Sequence, residues 1–376
     1  MSQPLAPYGN GLLPAGIRSR SLDDINRLSV HFLEAGFETA DRPLLLLLHG
    51  FPELAFSWRK IMLPLAGAGY HVVAPDMRGY GRTTGWENAY DTDLSPFGLL
   101  NMVRDALALV SALGYREAGL IGHDAGSPVS AWCALVRPDV FRRVVLMSAP
   151  FAGPPPIRPA PPPAPTMDEK LAVLPRPRKY YQHYYCTRDA NENMLRAPQG
   201  LAAFFRAYYH FKSADWNANK PHPLKDDSGE ELAKMPAYYI MDRAKGMAES
   251  VAPETPSAAE VAACRWLTDA EVAVYAAEYG RTGFQGGLQH YRRGNDPRLA
   301  AELRTFAGRT IDVPSLFISG TSDWGVYQTP GAAEAMRKTA CTDMRGFELV
   351  DGAGHWVQQE QPETTCELIL EFVRSA

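Results

Sequence analysis

The stretch GLIGHDAGSPVSAW (residues 119–132) joins an apolar run to a helical pattern through a short turn. Gly122 and Gly126 bracket that turn, and Asp124 lies at its centre. In hydrolases with a serine nucleophile, a sharp strand-to-helix turn of the form G-x-S-x-G holds the reactive side chain exposed at the end of a strand. The stretch therefore predicts a strand, a sharp turn and a helix that present a carboxylate in place of a hydroxyl.

Apolar runs of strand length lie on both sides of this unit. Runs such as LLLLL and HVVAP are continuous rather than alternating, which indicates strands buried on both faces of a largely parallel sheet. The sequence predicts strands at 28–37, 43–49, 71–75, 118–122 and 143–148, and again in PSLFISG (314–320) and MRGFELVDG (344–352). A last helix is predicted over 362–373. The predicted fold class is therefore α/β.

Two further helices have recognisable ends in the sequence. One is predicted to begin at Ser95, an N-cap followed by proline, and to stop at Gly114. The other, WLTDAEVAVYAAEYG, has Thr268 as its N-cap, Glu271 three residues later and Gly280 as its predicted end.

The composition changes after residue 150. Eight prolines fall within FAGPPPIRPAPPPAPT (151–166), where neither a helix nor a central strand can continue, so a stiff connector is predicted. A proline-rich ligand for another domain is the alternative. The following residues, to about 305, have helical spacing. We therefore predict a core over 1–150, a connector with an inserted helical cap over 151–305, and the second part of the core over 306–376.

Charge and composition exclude several classes of protein. The net charge of -4 lacks the basic footprint of nucleic-acid-binding proteins. The apolar run 44–48, like every other purely apolar run in the chain, is far shorter than the ~20 residues that a membrane span needs. Five cysteines without a C-x-x-C pair fit free thiols in a reducing compartment, so a cytoplasmic location is predicted. No metal-binding motif or phosphate-binding glycine loop is found, and no cofactor is implied.

Three polar residues each follow a predicted strand, at the edge where open α/β sheets bind their ligands. They are Asp124, Asp323 in LFISGTSDWG, and His355 in ELVDGAGHW. A nucleophile, an acid and a histidine in this chain order match one of the known orders of hydrolase triads. We therefore predict Asp124 as the nucleophile, His355 as the base and Asp323 as the residue that orients the histidine.

Five motifs together resemble those of the epoxide hydrolases of the α/β-hydrolase fold: HGFPE, SWR, DMRGYGRT, GHDAG and GHW. The similarity covers nearly the whole chain apart from its amino-terminal end. It implies a mostly parallel central sheet flanked by helices, an inserted helical cap, and a small-molecule epoxide and water as substrates. Related haloalkane and haloacetate dehalogenases share much of this motif set, so a dehalogenase with the same triad is the first alternative.

The resemblance also implies two cap tyrosines that hold the epoxide oxygen. The segment YQHYY resembles the family's Y-Q-x-Y-F and makes Tyr181 the first choice, with Tyr180 and Tyr184 as rivals. The segment QHYR resembles a W-Y-R pattern and assigns the second role to Tyr291, although His290 replaces the usual tryptophan.

A carboxylate suits the chemistry of epoxides. Attack by Asp124 on a saturated carbon leaves an ester, which can be hydrolysed, whereas a serine would leave an ether. His355 is then expected to activate the water that cleaves this ester. The backbone N–H groups of Phe51 and Ala125 are the predicted oxyanion-hole donors.

The predicted pocket is apolar and aromatic, with Phe51, Pro52 and Trp58 as substrate-binding residues, and it fits a hydrophobic epoxide of small or medium size. The family usually has tryptophan where this chain has Ala125, so the pocket is expected to be more open beside Asp124. Because many dehalogenases hold the departing halide with that ring N–H, its absence disfavours dehalogenation. A catalytically inactive binding protein of the same fold is the second alternative, although it would be expected to lose triad members. The sequence predicts neither the particular epoxide and its stereochemistry nor the oligomeric state.

Overall fold

The computed structural model of the chain describes residues 6–157 and 165–375. Within these ranges the strands are β1 (Arg18–Ile25), β2 (Leu28–Ala35), β3 (Leu44–Leu48), β4 (His71–Pro75), β5 (Ala118–His123), β6 (Phe141–Met147), β7 (Arg178–Tyr180), β8 (Ile240–Asp242), β9 (Ser315–Gly320) and β10 (Met344–Val350). All seven strands predicted from the sequence are confirmed, with ends that differ by at most two residues.

The helices lie between and after these strands. They are α1 (Arg59–Gly67), α2 (Leu99–Ala112), α3 (Gly126–Val136), α4 (Met167–Ala172), α5 (Tyr181–Tyr185), α6 (Ala190–Leu195), α7 (Leu201–Lys212), α8 (Gly229–Leu232), α9 (Met247–Val251), α10 (Ala258–Ala263), α11 (Asp269–Thr282), α12 (Gln285–Arg292), α13 (Pro297–Arg304), α14 (Ala332–Ala335), α15 (Val357–Glu360) and α16 (Pro362–Ser375). Short 3-10 helices include Ala55–Trp58, Ser95–Phe97 and Trp324–Val326.

Eight strands form the central sheet, in the spatial order β1-β2-β4-β3-β5-β6-β9-β10. From β4 to β10 all neighbouring strands are parallel, whereas β2 pairs antiparallel with both β1 and β4. Strand β9 lies directly beside β6, so the chain leaves the sheet after β6 and returns to the neighbouring position. The predicted α/β fold with a mostly parallel sheet is confirmed.

The core of the sheet is apolar, as the continuous runs predicted. Every residue of β3 and of β4 is buried. Helix α3 packs on β5 and β6, helix α2 packs on α3, and α1 packs on α16. Because parallel strands need helical coverage on both faces, this burial follows from the strand sequences.

The first strand, β1, was not predicted. Its sequence RSRSLDDI is mostly polar and largely exposed, because β1 is an edge strand that pairs with β2 on one side only. A solvent-facing edge strand needs no continuous apolar run, so the pattern that predicts the buried strands does not predict this one.

The predicted start of α2 at Ser95 is wrong. Ser95 begins a separate 3-10 turn, and α2 begins at Leu99 because Gly98 has an extended backbone, with ψ 146°. The predicted stop is confirmed, since Gly114 follows the helix with φ 86°.

The start of α11 is confirmed and its end is not. The Thr268 side chain accepts the N–H of Glu271, and the Glu271 side chain reaches back, which completes a capping box. The helix continues past Gly280 to Thr282 and ends at Gly283, which has φ 69°. Of the two glycines, Gly283 is the one in the left-handed region where glycine is favoured.

The segment between β6 and β9 is largely helical, from α4 to α13 in the described part of the chain. It also contains a two-stranded antiparallel sheet of β7 and β8, which are too short to be seen in the sequence. Residues 158–164 of the predicted proline-rich connector lie outside the described residues. We refer to 151–305 as the cap, and its status as a separate domain stays a proposal.

The described residues contain neither a membrane-spanning helix nor a cluster of metal-binding side chains. None of their helices is long and apolar enough to cross a membrane. Their His, Cys, Asp and Glu side chains form no group of three or more that could hold a metal ion. The five cysteines are all free thiols.

Candidate active site

Asp124 occupies the turn between β5 and α3 with a φ of 48°, a conformation that is uncommon for any residue other than glycine. Glycines around it make this turn possible. A Cβ on Gly122 would overlap the backbone of Gly126, and one on Gly126 would overlap the carbonyl of Leu48. A Cβ on Gly50 would overlap Asp124 itself. The strained turn holds the carboxylate at the carboxyl end of the parallel strands.

The three residues of the predicted triad lie together. His355 Nδ1 is 3.0 Å from Asp323 Oδ1, and His355 Nε2 is 3.3 Å from Asp124 Oδ2. His355 and Asp323 are buried, whereas the Asp124 side chain keeps 13% of its exposure. Nε2 has no hydrogen-bond partner among the described residues, so it is free to accept a proton from a small molecule placed beside Asp124.

Asp323 fixes the orientation of the histidine ring. Its carboxylate also accepts the hydroxyl of Ser319 at 2.8 Å and the N–H of Gly325 at 2.7 Å. Burial raises the pKa of Asp323, but the charge and hydrogen bond of His355, the hydroxyl of Ser148 and the N–H of Gly325 outweigh burial and bring the pKa to about 2. The ionised carboxylate therefore accepts the Nδ1 proton of His355 and leaves Nε2 as the basic nitrogen.

The Asp124 carboxylate is held in its ionised form. Burial raises its pKa, but the adjacent His355 ring, followed by the charge of Lys212, lowers it well below the usual range. The backbone N–H of Phe51 donates to Asp124 Oδ1 at 2.9 Å. Ala125 directly precedes α3, so its amide lies at the positive end of that helix.

The rings of the two predicted tyrosines pack edge-on against each other. The ring centroids of Tyr181 and Tyr291 are 6.1 Å apart, and Tyr291 packs edge-on to Phe51 at 5.5 Å. Burial raises the pKa of both hydroxyls well above the usual value, and the charge of Asp124 raises both further. Both phenols therefore stay protonated and can donate.

The surroundings of the hydroxyls separate Tyr181 from its rivals. Tyr184 donates to Asn193 at 2.6 Å, inside the cap. Tyr180 and Tyr181 both donate to the amide oxygen of Gln328, at 3.1 and 3.2 Å. Of Tyr180, Tyr181 and Tyr184, only Tyr181 also packs against Tyr291, so the geometry favours Tyr181.

Comparisons with known proteins identify the family. Residues 43–362 match the alpha/beta hydrolase fold family. Epoxide hydrolase B of Mycobacterium tuberculosis is 33% identical over 356 residues, which cover 88% of this chain and 91% of that protein. The chain belongs to the epoxide hydrolase family. Epoxide hydrolase A of Mycobacterium tuberculosis is 31% identical and covers 95% of this chain and 98% of its own length. A solved epoxide hydrolase from an endophytic Streptomyces has a TM-score of 0.75 at 28% identity and covers 96% of each chain.

The histidine that replaces the tryptophan of the epoxide hydrolase pattern has a structural setting. His290 Nε2 lies 2.8 Å from the carbonyl oxygen of Arg78, and its ring packs against Tyr80 and Phe97. Burial and the neighbouring charge of Arg293 lower the pKa of His290 well below its usual value. A neutral, hydrogen-bonded His290 thus positions α12, the helix that carries Tyr291.

The predicted pocket residues have different surroundings. The Phe51 ring packs against Tyr185 and Tyr291 and so borders the space in front of Asp124. The Pro52 carbonyl accepts the hydroxyl of Tyr209 in α7 at 3.1 Å. The Trp58 indole is wholly buried, and its N–H has no partner among the described residues. Contact of Pro52 and Trp58 with an epoxide stays a prediction.

Lys212 is the most unusual residue that the sequence did not reveal in this epoxide hydrolase. Its side chain is 3% exposed, and its ammonium lies 5.2–5.6 Å from the ring centroids of Tyr208, Tyr238, Tyr239 and Trp356. Burial lowers its pKa, and the carboxylates of the site oppose that change. A lysine in the last turn of a helix normally faces solvent, so no sequence signal separates it from a surface residue.

A second group of residues supports the loops around the triad. His123 Nδ1 contacts Glu53, and His123 Nε2 lies 2.7 Å from the carbonyl oxygen of His355. Gln328 receives two tyrosine hydroxyls, as described above, and Glu360 receives backbone N–H groups around His355. Of these residues, Glu53 and His123 had a sequence signal, because they belong to the HGFPE and GHDAG motifs of the epoxide hydrolases.

Proposed function

We propose that this enzyme converts an epoxide to a vicinal diol through an ester formed on Asp124. The observation that carries the proposal is an ionised carboxylate at the strained turn, with His355 Nε2 3.3 Å away and with the protonated phenols of Tyr181 and Tyr291 close enough for its charge to raise their pKa. A nucleophile, two acids and a base around one small space are the groups that epoxide opening and ester hydrolysis require.

In the first step, Asp124 Oδ2 attacks a ring carbon of the epoxide. The carbon–oxygen bond of the ring breaks, and the departing oxygen takes a proton from Tyr181 or Tyr291. Oδ2 is assigned as the nucleophile because Oδ1 already accepts the N–H of Phe51, the donor that the ester carbonyl oxygen needs in the second step. The raised pKa of each phenol keeps its proton in place until the oxygen becomes basic.

In the second step, His355 Nε2 takes a proton from water, and the hydroxide attacks the carbonyl carbon of the ester. The N–H groups of Phe51 and Ala125 stabilise the negative charge on Oδ1, and one such donor is worth about 3 kcal/mol. The bond between that carbon and Oδ2 then breaks, and the diol leaves with Oδ2 and the proton from His355. The new Asp124 carboxyl group then gives up its proton to the tyrosine that was deprotonated in the first step. This transfer restores both the carboxylate and the phenol.

The test is turnover of a panel of aryl and alkyl epoxides by the native chain and by Asp124→Ala, with the diol measured by chromatography. We expect diol from the native chain and none from the variant. A single turnover in ¹⁸O-labelled water should give unlabelled diol and labelled Asp124. Label in the diol of that first turnover would indicate direct hydration and would overturn the ester. Halide release without diol formation would favour the dehalogenase alternative, and ligand binding without turnover would favour a binding protein.

We also propose a hydrophobic substrate of small or medium size. The aromatic rings of Phe51, Tyr185 and Tyr291 around the reactive carboxylate support this proposal. A reducing compartment such as the cytosol is proposed as the location, and the five free thiols support it.

A further inference from the structure

A single carboxyl group brackets the catalytic histidine. Glu360, the last residue of α15, accepts three backbone N–H groups: those of Ala214 and Gly354 on Oε2, at 2.8 and 2.9 Å, and that of Trp356 on Oε1, at 2.9 Å. Gly354 and Trp356 flank His355, whereas Ala214 belongs to the cap and follows α7. Glu360 therefore joins both sides of the histidine to the cap.

The histidine backbone itself is also held. The N–H of His355 donates to the carbonyl oxygen of Lys212 at 2.9 Å, and its own carbonyl accepts Ser148 Oγ at 3.2 Å. Lys212 ends α7, and the last carbonyls of a helix have no partner within the helix. All three consecutive N–H groups from 354 to 356 are thus fixed, two by Glu360 and one by α7.

The contact between this loop and the cap leaves little room for adjustment. A Cβ on Gly354 would come within 2.5 Å of the carbonyl oxygen of Lys212 and 2.7 Å of the amide nitrogen of Ala214. The Trp356 ring stacks on Tyr209 of α7 at 4.2 Å, and its indole N–H donates to the Tyr209 carbonyl at 2.9 Å. The loop can keep this position only while its backbone stays against the end of α7.

The position of the loop decides where the base acts. Asp323 sets the orientation of the His355 ring, but the distance of the ring from the carbonyl carbon of an Asp124 ester depends on the backbone at 354–356. A misplacement of about 1 Å can cost roughly 10²-fold in rate. The hydrolysis step uses His355 as its base, whereas formation of the ester uses Asp124 and the tyrosines.

We propose that Glu360 is a positioning residue for the hydrolysis step: it clamps the His355 loop against the end of α7 and so places the base beside the ester. The inference rests on the proposed function. Burial raises the pKa of Glu360 to about 8, although the three N–H donors lower it, and the group offers oxygen acceptors in either protonation state. Because Glu360 binds both the His355 loop and Ala214, the position of the base also depends on how the cap packs against the core.

The test is Glu360→Gln. Glutamine has an NH₂ group in place of one carboxyl oxygen, and because NH₂ cannot accept a backbone N–H, at least one of the three hydrogen bonds is lost. In single-turnover experiments we expect the rate of ester hydrolysis to fall by roughly 10²-fold, with ester formation changed by less than about 3-fold. The covalent ester should accumulate during turnover and be seen in the intact mass of the enzyme. Global destabilisation would not separate the two steps in this way.

Glu363→Gln is the matched control, because Glu363 is an exposed carboxylate three residues further along the chain, and both rates should stay unchanged. Glu360→Asp keeps the carboxyl group on a side chain that is too short to reach all three amides. This variant replaces the glutamine variant in the test if the glutamine variant does not fold. Equal changes in both steps, no change, or unfolding of both Glu360 variants at the assay temperature would overturn the inference. If the native chain forms no ester, the proposed function itself fails.

Discussion

At the scale of single residues, the site depends on environments that push the pKa values of its acids apart. Asp124 and Asp323 are buried carboxyl groups whose pKa values His355 and its surroundings keep below the usual range. Tyr181 and Tyr291 are buried phenols with raised pKa values. One set of groups is therefore charged and the other neutral near pH 7, which is the division of roles that nucleophile and proton donor need.

The two phenols give a residue-scale prediction. Replacing Tyr291 or Tyr181 by phenylalanine should slow ester formation, because the departing oxygen loses a proton donor, and the double variant should lose roughly 10²-fold or more. Tyr184→Phe is the control, since its hydroxyl binds Asn193 in the cap. The measurement is the single-turnover rate of ester formation. An equal loss in the control would contradict the assignment of the donors.

Asp323 gives a prediction on pH and stability. Its folded pKa of about 2 lies below the ~3.9 of an unfolded chain, so its contribution is complete above ~3.9 and is lost as the pH falls through about 2. Between about pH 5 and pH 2 the native enzyme should therefore lose up to about 2 kcal/mol more unfolding free energy than Asp323→Asn. Urea titrations at several pH values measure this difference. Parallel losses in the two proteins would rule out the shift.

At the scale of elements, helix ends show where local sequence suffices. Both partners of the capping box of α11 lie within four residues, at Thr268 and Glu271, and the sequence located them. The end of the same helix depends on which glycine takes a positive φ, and the one that does is Gly283 rather than Gly280. The residue after Gly283 is held by a distant partner, since the N–H of Phe284 donates to Asn191 at 2.8 Å, and local sequence does not encode such a contact.

The capping box gives the element-scale prediction. Thr268→Ala should destabilise the protein by about 1 kcal/mol, because the N–H of Glu271 loses its acceptor. Thr268→Ser keeps the hydroxyl and should be close to the native chain. Midpoints of urea unfolding at neutral pH provide the measurement, with diol formation followed in parallel. A serine variant as unstable as the alanine variant would show that the cap bond is not the cause.

At the scale of the whole molecule, α11 fastens the cap to the core. Glu271 pairs with the buried Arg59 at 2.7 Å. The Tyr275 hydroxyl lies 2.8 Å from Ser57 Oγ, and the Tyr279 hydroxyl donates to the Glu53 carbonyl at 3.1 Å. These contacts all reach the loop and helix start that follow β3, so the cap is attached beside the catalytic turn.

The buried pair gives the whole-molecule prediction. Arg59→Met should cost about 3 kcal/mol in unfolding free energy, because Glu271 and the amide oxygen of Gln359 lose a buried donor. Arg137→Met is the control, since the Arg137–Asp139 pair is exposed and should contribute less than about 1 kcal/mol. Urea unfolding of both variants provides the comparison, and equal losses would contradict the docking role.

The sequence by itself determined the features whose signals are local. The turn around Asp124 needs glycines at fixed offsets, the buried strands need continuous apolar runs, and Asp323 and His355 each follow their own strand. Such patterns can be read because the cause lies within a few residues of the effect. The order of these residues along the chain then indicated the chemistry.

Only the tertiary structure decided the features that join distant parts of the chain. It placed Tyr181, and not Tyr184, in contact with Gln328 and Tyr291, and it buried Lys212 among aromatic rings. It also brought Glu360 to the backbone on both sides of His355 and to the cap. These partners lie on separate elements. The residues next to a side chain in the sequence do not indicate which distant residues will pack against it in the folded protein.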